Sequence, residues 1–317
     1  MLNIPDSALE FLSDRQNILL IGAGGAFDIL ATMPVYYSLI NQFDVKVHLA
    51  NYSFVHFSDI DSLIETVDFE PNIKGTTGNI KSYTNHFPEA YISSYFKEGV
   101  GSDVPVWLFN SKQTTKELAK SYQRFFKHMQ IDAVIACGFG LRSIMQGNEQ
   151  NCGNMIHTTM NLGALSIQEE VPKILFTIGH ESMPQKGVSF NSALENISAL
   201  NKQGAYLGGL MMDKHSSSYS FMKSVFEWII TQPEHETNEL AESVFIGIEG
   251  GFGPHDKSQA LVTPLMAMCH FFEMETVLSM NKVFSLIRDS EDYASTIQDG
   301  MSLINNSNQR EHYFLEI

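Results

Sequence analysis

The sequence predicts an α/β protein: a doubly wound, mainly parallel sheet of Rossmann-like form with helices on both faces. Three observations carry that expectation. Short apolar runs alternate with longer segments of helical period. The runs are continuously apolar instead of alternating, as strands covered on both faces require. Several of them end in glycine-rich turns, the usual passage from a parallel strand to its following helix.

In chain order, NILLIG (17–22) reads as a buried strand and 29–43 as a helix with an early Pro34. VKVHLA (45–50) is the next strand. The stretch 51–90 shows no clear period and is expected to be an irregular insertion or lid. A helix over 88–99 follows, then a strand VPVWLF (104–109) and an amphipathic helix 112–129. DAVIACG (132–138) is a strand, 155–170 a helix, and KILFTIG (173–179) a strand. The helix 191–204 closes at Gly204, a residue suited to the left-handed position after a helix. ESVFIGIEGG (242–251) is expected to be a late strand and 263–281 a helix, with 300–317 a C-terminal tail. No linker or repeat divides the chain, so residues 1–317 are expected to form a single α/β domain.

Composition narrows the function. The 317 residues are 44% apolar, enough for a large core without disulfides or metals as staples. Acids outnumber bases 36 to 20, and the net charge of −16 repels nucleic acid and anionic membrane surfaces. Three cysteines, Cys137, Cys152 and Cys269, are widely spaced and form no disulfide framework. The N-terminal residues lack the basic and apolar regions of a secretory signal, and no apolar stretch approaches the roughly 20 residues of a membrane span. The expected location is cytoplasmic, with secretion by a dedicated system outside the reach of this test.

Four glycine-rich segments carry the chemistry. In open parallel sheets, ligands gather beyond the carboxyl ends of the strands. IGAGGAFD places Gly22, Gly24, Gly25 and Asp28 at such an end, where glycine lets an anion approach backbone amides. The dinucleotide fingerprint is incomplete, since Phe27 stands where its third glycine belongs and Asn51, not an acid, follows the second strand. ACGFGLRSIMQGNE offers Gly138 and Gly140 as a second cradle, Arg142 as a bidentate clamp for phosphate or carboxylate, and Glu149 as base or metal ligand. Cys137 reads as a buried strand residue. IGHES adds His180, a candidate acid, and Glu181; IEGGFGPHDK adds Glu249 and His255. No HExxH, GxSxG or GKS/T occurs, which disfavours zinc hydrolases, nucleophile-elbow hydrolases and Walker-type ATPases.

The segments together resemble the domain-of-unknown-function 1152 family (DUF1152). Its opening glycine turn ending in Asp is similar to IGAGGAFD, and its central loop of the type VDGGxDSLMxGDE is similar to IACGFGLRSIMQGNE at Gly138, Ser143, Met145, Gly147 and Glu149. GAYLGG and VTPLMAMCHFFEMETV also resemble later segments of the family. The resemblance spans roughly 17–277. The family's acids in the central loop fall here at Ala136, Leu141 or Arg142, and Asn148, none of them acidic. A divalent-cation site built on those acids is therefore depleted, with Asp28 and Glu149 as the remaining candidates for Mg²⁺.

The expected function is a transferase or hydrolase acting on a small anionic, phosphorylated or nucleotide-like molecule. Amides of 22–25 and 138–140 would cradle the anion, with Arg142, Asp28, Glu149 and His180 as the catalytic set and Asn51, Glu181, Glu249 and His255 lining the site. The alternative is a catalytically degenerate homologue that binds a ligand or a protein. A homo-oligomer fits either reading.

Overall fold

The computed structural model describes residues 1–84, 86–149, 155–180, 190–235, 238–255 and 260–306. Nine strands form one sheet: β1 (Asn17–Gly22), β2 (Lys46–Ser53), β3 (Ile64–Glu70), β4 (Ile73–Ile80), β5 (Val106–Asn110), β6 (Ala133–Phe139), β7 (Lys173–Ile178), β8 (Tyr206–Met211) and β9 (Met268–Glu273). Their order across the sheet is β3-β4-β5-β2-β1-β6-β7-β9-β8. The central run β5-β2-β1-β6-β7 is parallel throughout. Antiparallel strands flank it, β4 and β3 on one side and β9 and β8 on the other.

Side chains that alternate along each strand enter opposite cores. Ile18 and Leu20 of β1, Ile135 and Cys137 of β6, and Ile174 and Phe176 of β7 pack with helices 6–12, 33–42, 217–231 and 239–248. Leu19 and Ile21, Val134 and Ala136, and Leu175 pack with helices 115–129, 156–166 and 274–279 on the other face. The doubly wound expectation holds. The helix Thr115–Met129 shows how its local sequence sets it. Thr114 Oγ1 accepts from the amide of Glu117, Glu117 accepts in return from the amide of Thr114, and Gln130 ends the helix at φ 56°.

Three expected elements differ. The stretch 51–90 is not irregular: it completes β2, forms the β3–β4 hairpin and starts the helix Pro88–Ser94. Residues 242–251 are not a strand, because Glu239–Ile248 is a helix capped by Asn238, which accepts from the Ala241 amide at 2.8 Å. Its buried Ala241, Val244, Phe245 and Ile248 recur at helical spacing, a period that the short apolar run 244–248 conceals. Residues 263–281 are not one helix. A short 3₁₀ turn (Pro264–Ala267) leads into β9, and Glu273 then caps the helix Met274–Ser279 through the amides of Glu275 and Thr276. The helix Tyr293–Asn306 takes up the first residues of the tail expected at 300–317, and the remainder, 307–317, lies outside the described residues. No described helix is long and apolar enough to cross a membrane.

Candidate ligand site at the carboxyl edge

β1 lies between β2 and β6, so the chain leaves β1 toward one side and returns on the other. This reversal opens a crevice at the strands' carboxyl ends in sheets of this kind. The structure brings the predicted first and second turns together there. The Ala23 amide donates to the Cys137 carbonyl at 2.7 Å, and a Cβ on Gly138 would stand 3.1 Å from that of Ala23.

The amides of the first turn are already engaged. Buried Asp28 accepts from the amides of Gly24 at 3.1 Å and Gly25 at 2.6 Å through one oxygen, and from that of Phe139 at 3.2 Å through the other. The anion in this cradle is therefore the chain's own carboxylate, not a guest. Gly24, at φ 150°, lies against helix 156–166, where a Cβ would be 2.4 Å from Thr158 Cα. Gly22 admits Asn51, whose Oδ1 would lie 2.0 Å from a Cβ there. The second cradle is covered as well: Gly140 donates to Ile178 O at 2.8 Å, and Leu240 of helix 239–248 sits 2.9 Å from its Cβ position. The expectation of free amides at 22–25 and 138–140 is thus corrected, because a side chain and packed hydrocarbon occupy those positions.

The other predicted residues divide. Glu149 is buried and braces its own loop, accepting from the amides of Gln146, Gly147 and Asn148 and from Asn196 Nδ2. His180 is buried beside His270, their rings stacked at 4.7 Å, with Nε2 on Thr177 Oγ1. Burial, aided by His270, holds its pKa well below the ordinary value, so the ring is neutral at pH 7 and is not the imidazolium acid expected. Glu249 ends helix 239–248 and bonds Tyr219 (2.9 Å) and Lys223, away from the strand end where it was expected. His255 Nδ1 lies 3.4 Å from Ser243 Oγ. Glu181 lies outside the described residues. The donors around Asp28 and Glu149 are N–H groups that occupy the carboxylate lone pairs a cation would need, so this pair does not fit Mg²⁺. Among the described residues no group of three His, Cys, Asp or Glu has the arrangement of a metal site.

The predicted Arg142 and several residues that sequence reasoning passed over complete the edge. Arg142 Nη2 stands 3.0 Å from where a Cβ of Gly25 would be, and 4.0 Å from Asp28 Oδ1. Its side chain is about one-third exposed (32%). Arg142 and Lys112 both bear on His157, whose pKa is lowered to about 4, first by burial and then by these two cations. The His157 ring stacks on Phe54 at 5.2 Å, its Nε2 meets Tyr293 Oη at 3.3 Å, and its buried Nδ1 has no partner. Lys112 lies over the Tyr293 ring at 5.2 Å. Behind the turn, Glu89 is almost wholly buried (1%). Asn51 Nδ2 donates to Glu89 Oε1 and to Ala26 O, each at 2.8 Å. Desolvation raises the Glu89 pKa to about 7 against the opposing pull of its own backbone amide, Asn51 and Ser53. In the sequence Glu89 follows Pro88 and reads as an ordinary acid in a helix's first turn, and His157 has no partner at metal spacing.

A family model described as "Protein of unknown function (DUF1152)" matches residues 73–306. No curated protein matches the chain, and no solved structure does.

Proposed function

The chain belongs to the DUF1152 family, and we propose that its carboxyl-edge cluster binds a small anionic molecule with a planar, nucleotide-like portion and acts on it as a transferase or hydrolase. One observation carries this reading. In a chain of net charge −16, Lys112 lies over the Tyr293 ring that bonds His157, and His157 stacks on Phe54. Arg142 stands by Gly25 at the sheet's topological reversal, and both cations disfavour a charged His157. A guanidinium there suits bidentate contact with phosphate or carboxylate, and its charge would offset that developing on a transferred group. The Phe54 and Tyr293 rings supply faces for a planar group. The anion is thus gripped by side chains, since the turn amides are bonded internally.

A second reading is a binding protein without turnover. It draws support from the non-acidic Ala136, Leu141 or Arg142, and Asn148, where the family resemblance places acids, and from the engagement of Asp28 and Glu149 with backbone amides.

The test starts with native mass spectrometry of the purified protein to identify a co-purified anion, followed by calorimetric titration with nucleoside monophosphates. Arg142→Ala is expected to weaken binding at least tenfold, roughly the loss of one charge-assisted pair, while leaving the melting temperature nearly unchanged. Equal affinity in Arg142→Ala, Lys112→Ala and the unmutated chain refutes the site. Turnover of the bound molecule, or its absence over prolonged incubation, separates the two readings.

A further inference from the structure

Glu89 raises a question that the anion site does not answer: why an acid lies under the turn with no cation beside it. Its elements of contact are β4, β5, the 28–32 turn, the segment 95–100 and helix 217–231. The ionisable groups on those elements and on its own helix are Lys74, Asp28, Tyr91, Tyr95, Lys97, Glu98, Tyr219, Lys223 and Glu227. None of them contributes to the displacement of its titration, nor does Tyr52 or His48 of β2; burial dominates. Lys74 is held by Asp61 and Asp68, Lys223 by Glu249, and Asp28 by three amides. Glu89 Oε1 accepts from the Asn51 amide, while Oε2 and the buried Ser53 hydroxyl make no hydrogen bond of regular geometry among the described residues. Ser53 and the Glu89 amide still favour the ionised form, against the larger effect of burial. An ionised carboxylate so placed leaves one oxygen unsatisfied in a low-dielectric setting, whereas the carboxylic acid costs little.

The Asn51 side chain ties this acid to the anion cluster. The same Nδ2 that donates to Glu89 donates to Ala26 O, and Ala26 adjoins Gly25, against which Arg142 rests. We propose, resting on the anion reading above, that Glu89 is the proton-exchanging group of this site: it takes up a proton when an anion settles against Arg142 and Lys112, and releases it when the anion leaves. The proton comes from solvent buffer and resides on Oε2, since Oε1 accepts from Asn51. The driving force is electrostatic. For an illustrative separation of about 10 Å and an effective dielectric near 20, a unit negative charge favours the neutral acid by roughly tenfold, and a dianion by more. Because Glu89 titrates near neutral pH, that bias moves a measurable fraction of a proton. Its consequence is that an anion binds more tightly as pH falls through neutrality, the reciprocal of its effect on the acid.

The probe is sulfate, which does not itself titrate near pH 7. Calorimetric titration of the full chain at pH 7, repeated in buffers of different ionisation enthalpy, reports proton uptake directly. The expected uptake is about 0.5 proton per sulfate, a dianion, in the unmutated chain, falling to near zero in Glu89→Gln whatever that variant's affinity. Sulfate binding without uptake overturns the proposal, as does uptake that persists in Glu89→Gln, which would assign the proton to another group such as His157. Absence of sulfate binding overturns the anion reading itself and the coupling with it, a result distinguishable from binding without uptake. Should Glu89→Gln not fold, infrared difference spectra of the unmutated chain decide. Sulfate must increase the carboxylic-acid carbonyl band, and an unchanged band refutes the coupling.

Discussion

Asp28 is bound by three amides, those of Gly24, Gly25 and Phe139, so its charge holds two strand ends together. Asp28→Asn places an amide nitrogen against at least one of those donors and removes the charge. The expected loss is about 2–3 kcal/mol of stability, read as a lower midpoint in urea; an unchanged midpoint would show that the bonds contribute nothing. The sequence revealed this residue only in part. An acid closing a glycine turn is visible in the letters, but whether it faces a guest or its own turn depends on the side-chain direction. Glu89 was less legible still, because its exposure and its lack of a countercharge arise from segments far away in sequence. Arg142 was legible as a candidate cation and is partly exposed at this edge, while Lys112 and His157 acquire meaning only when the segment after β5 is brought near helix 156–166.

The strands of the parallel centre were legible because burial on both faces writes itself as unbroken apolar letters. The same signature misled at 242–251, where the short apolar run 244–248 belongs to a helix lying over the ends of β6 and β7, and at 268–273, where strand and helix follow each other without a break. The glycines at these junctions follow contacts between elements more than local turn preference. Gly24→Ala would drive a Cβ into the backbone of helix 156–166 and is expected to cost about 3 kcal/mol or more. Gly101, at φ 75°, has nothing within 4 Å of its Cβ position, so Gly101→Ala should cost only about 1 kcal/mol of backbone strain. Thermal melts of the two variants check the contrast, and equal losses would contradict the docking argument.

Across the whole molecule, ionisation sets a window of stability. Burial lowers His48, His157 and His270 to about 4, and holds His180 well below its ordinary value. The unfolded chain takes protons near 6.5 where the folded chain refuses them, so stability is lost as pH falls from about 6.5 toward 4, by up to about 3 kcal/mol for His157 alone. Glu89 works in the other direction, with stability lost as pH rises from its ordinary range through about 7. Four histidines outweigh one acid, and melting temperatures should decline steadily below pH 6.5; a flat profile from 6.5 to 4.5 would contradict these burials. The sheet's flanks have their own consequence. Its outermost strands are irregular: β3 slips register twice against β4, and β9 slips where β8 passes Gly208. An approaching copy of the chain therefore meets no straight row of main-chain donors and acceptors to extend, and the buried parallel centre is shielded from the edge-on growth that leads to fibrils.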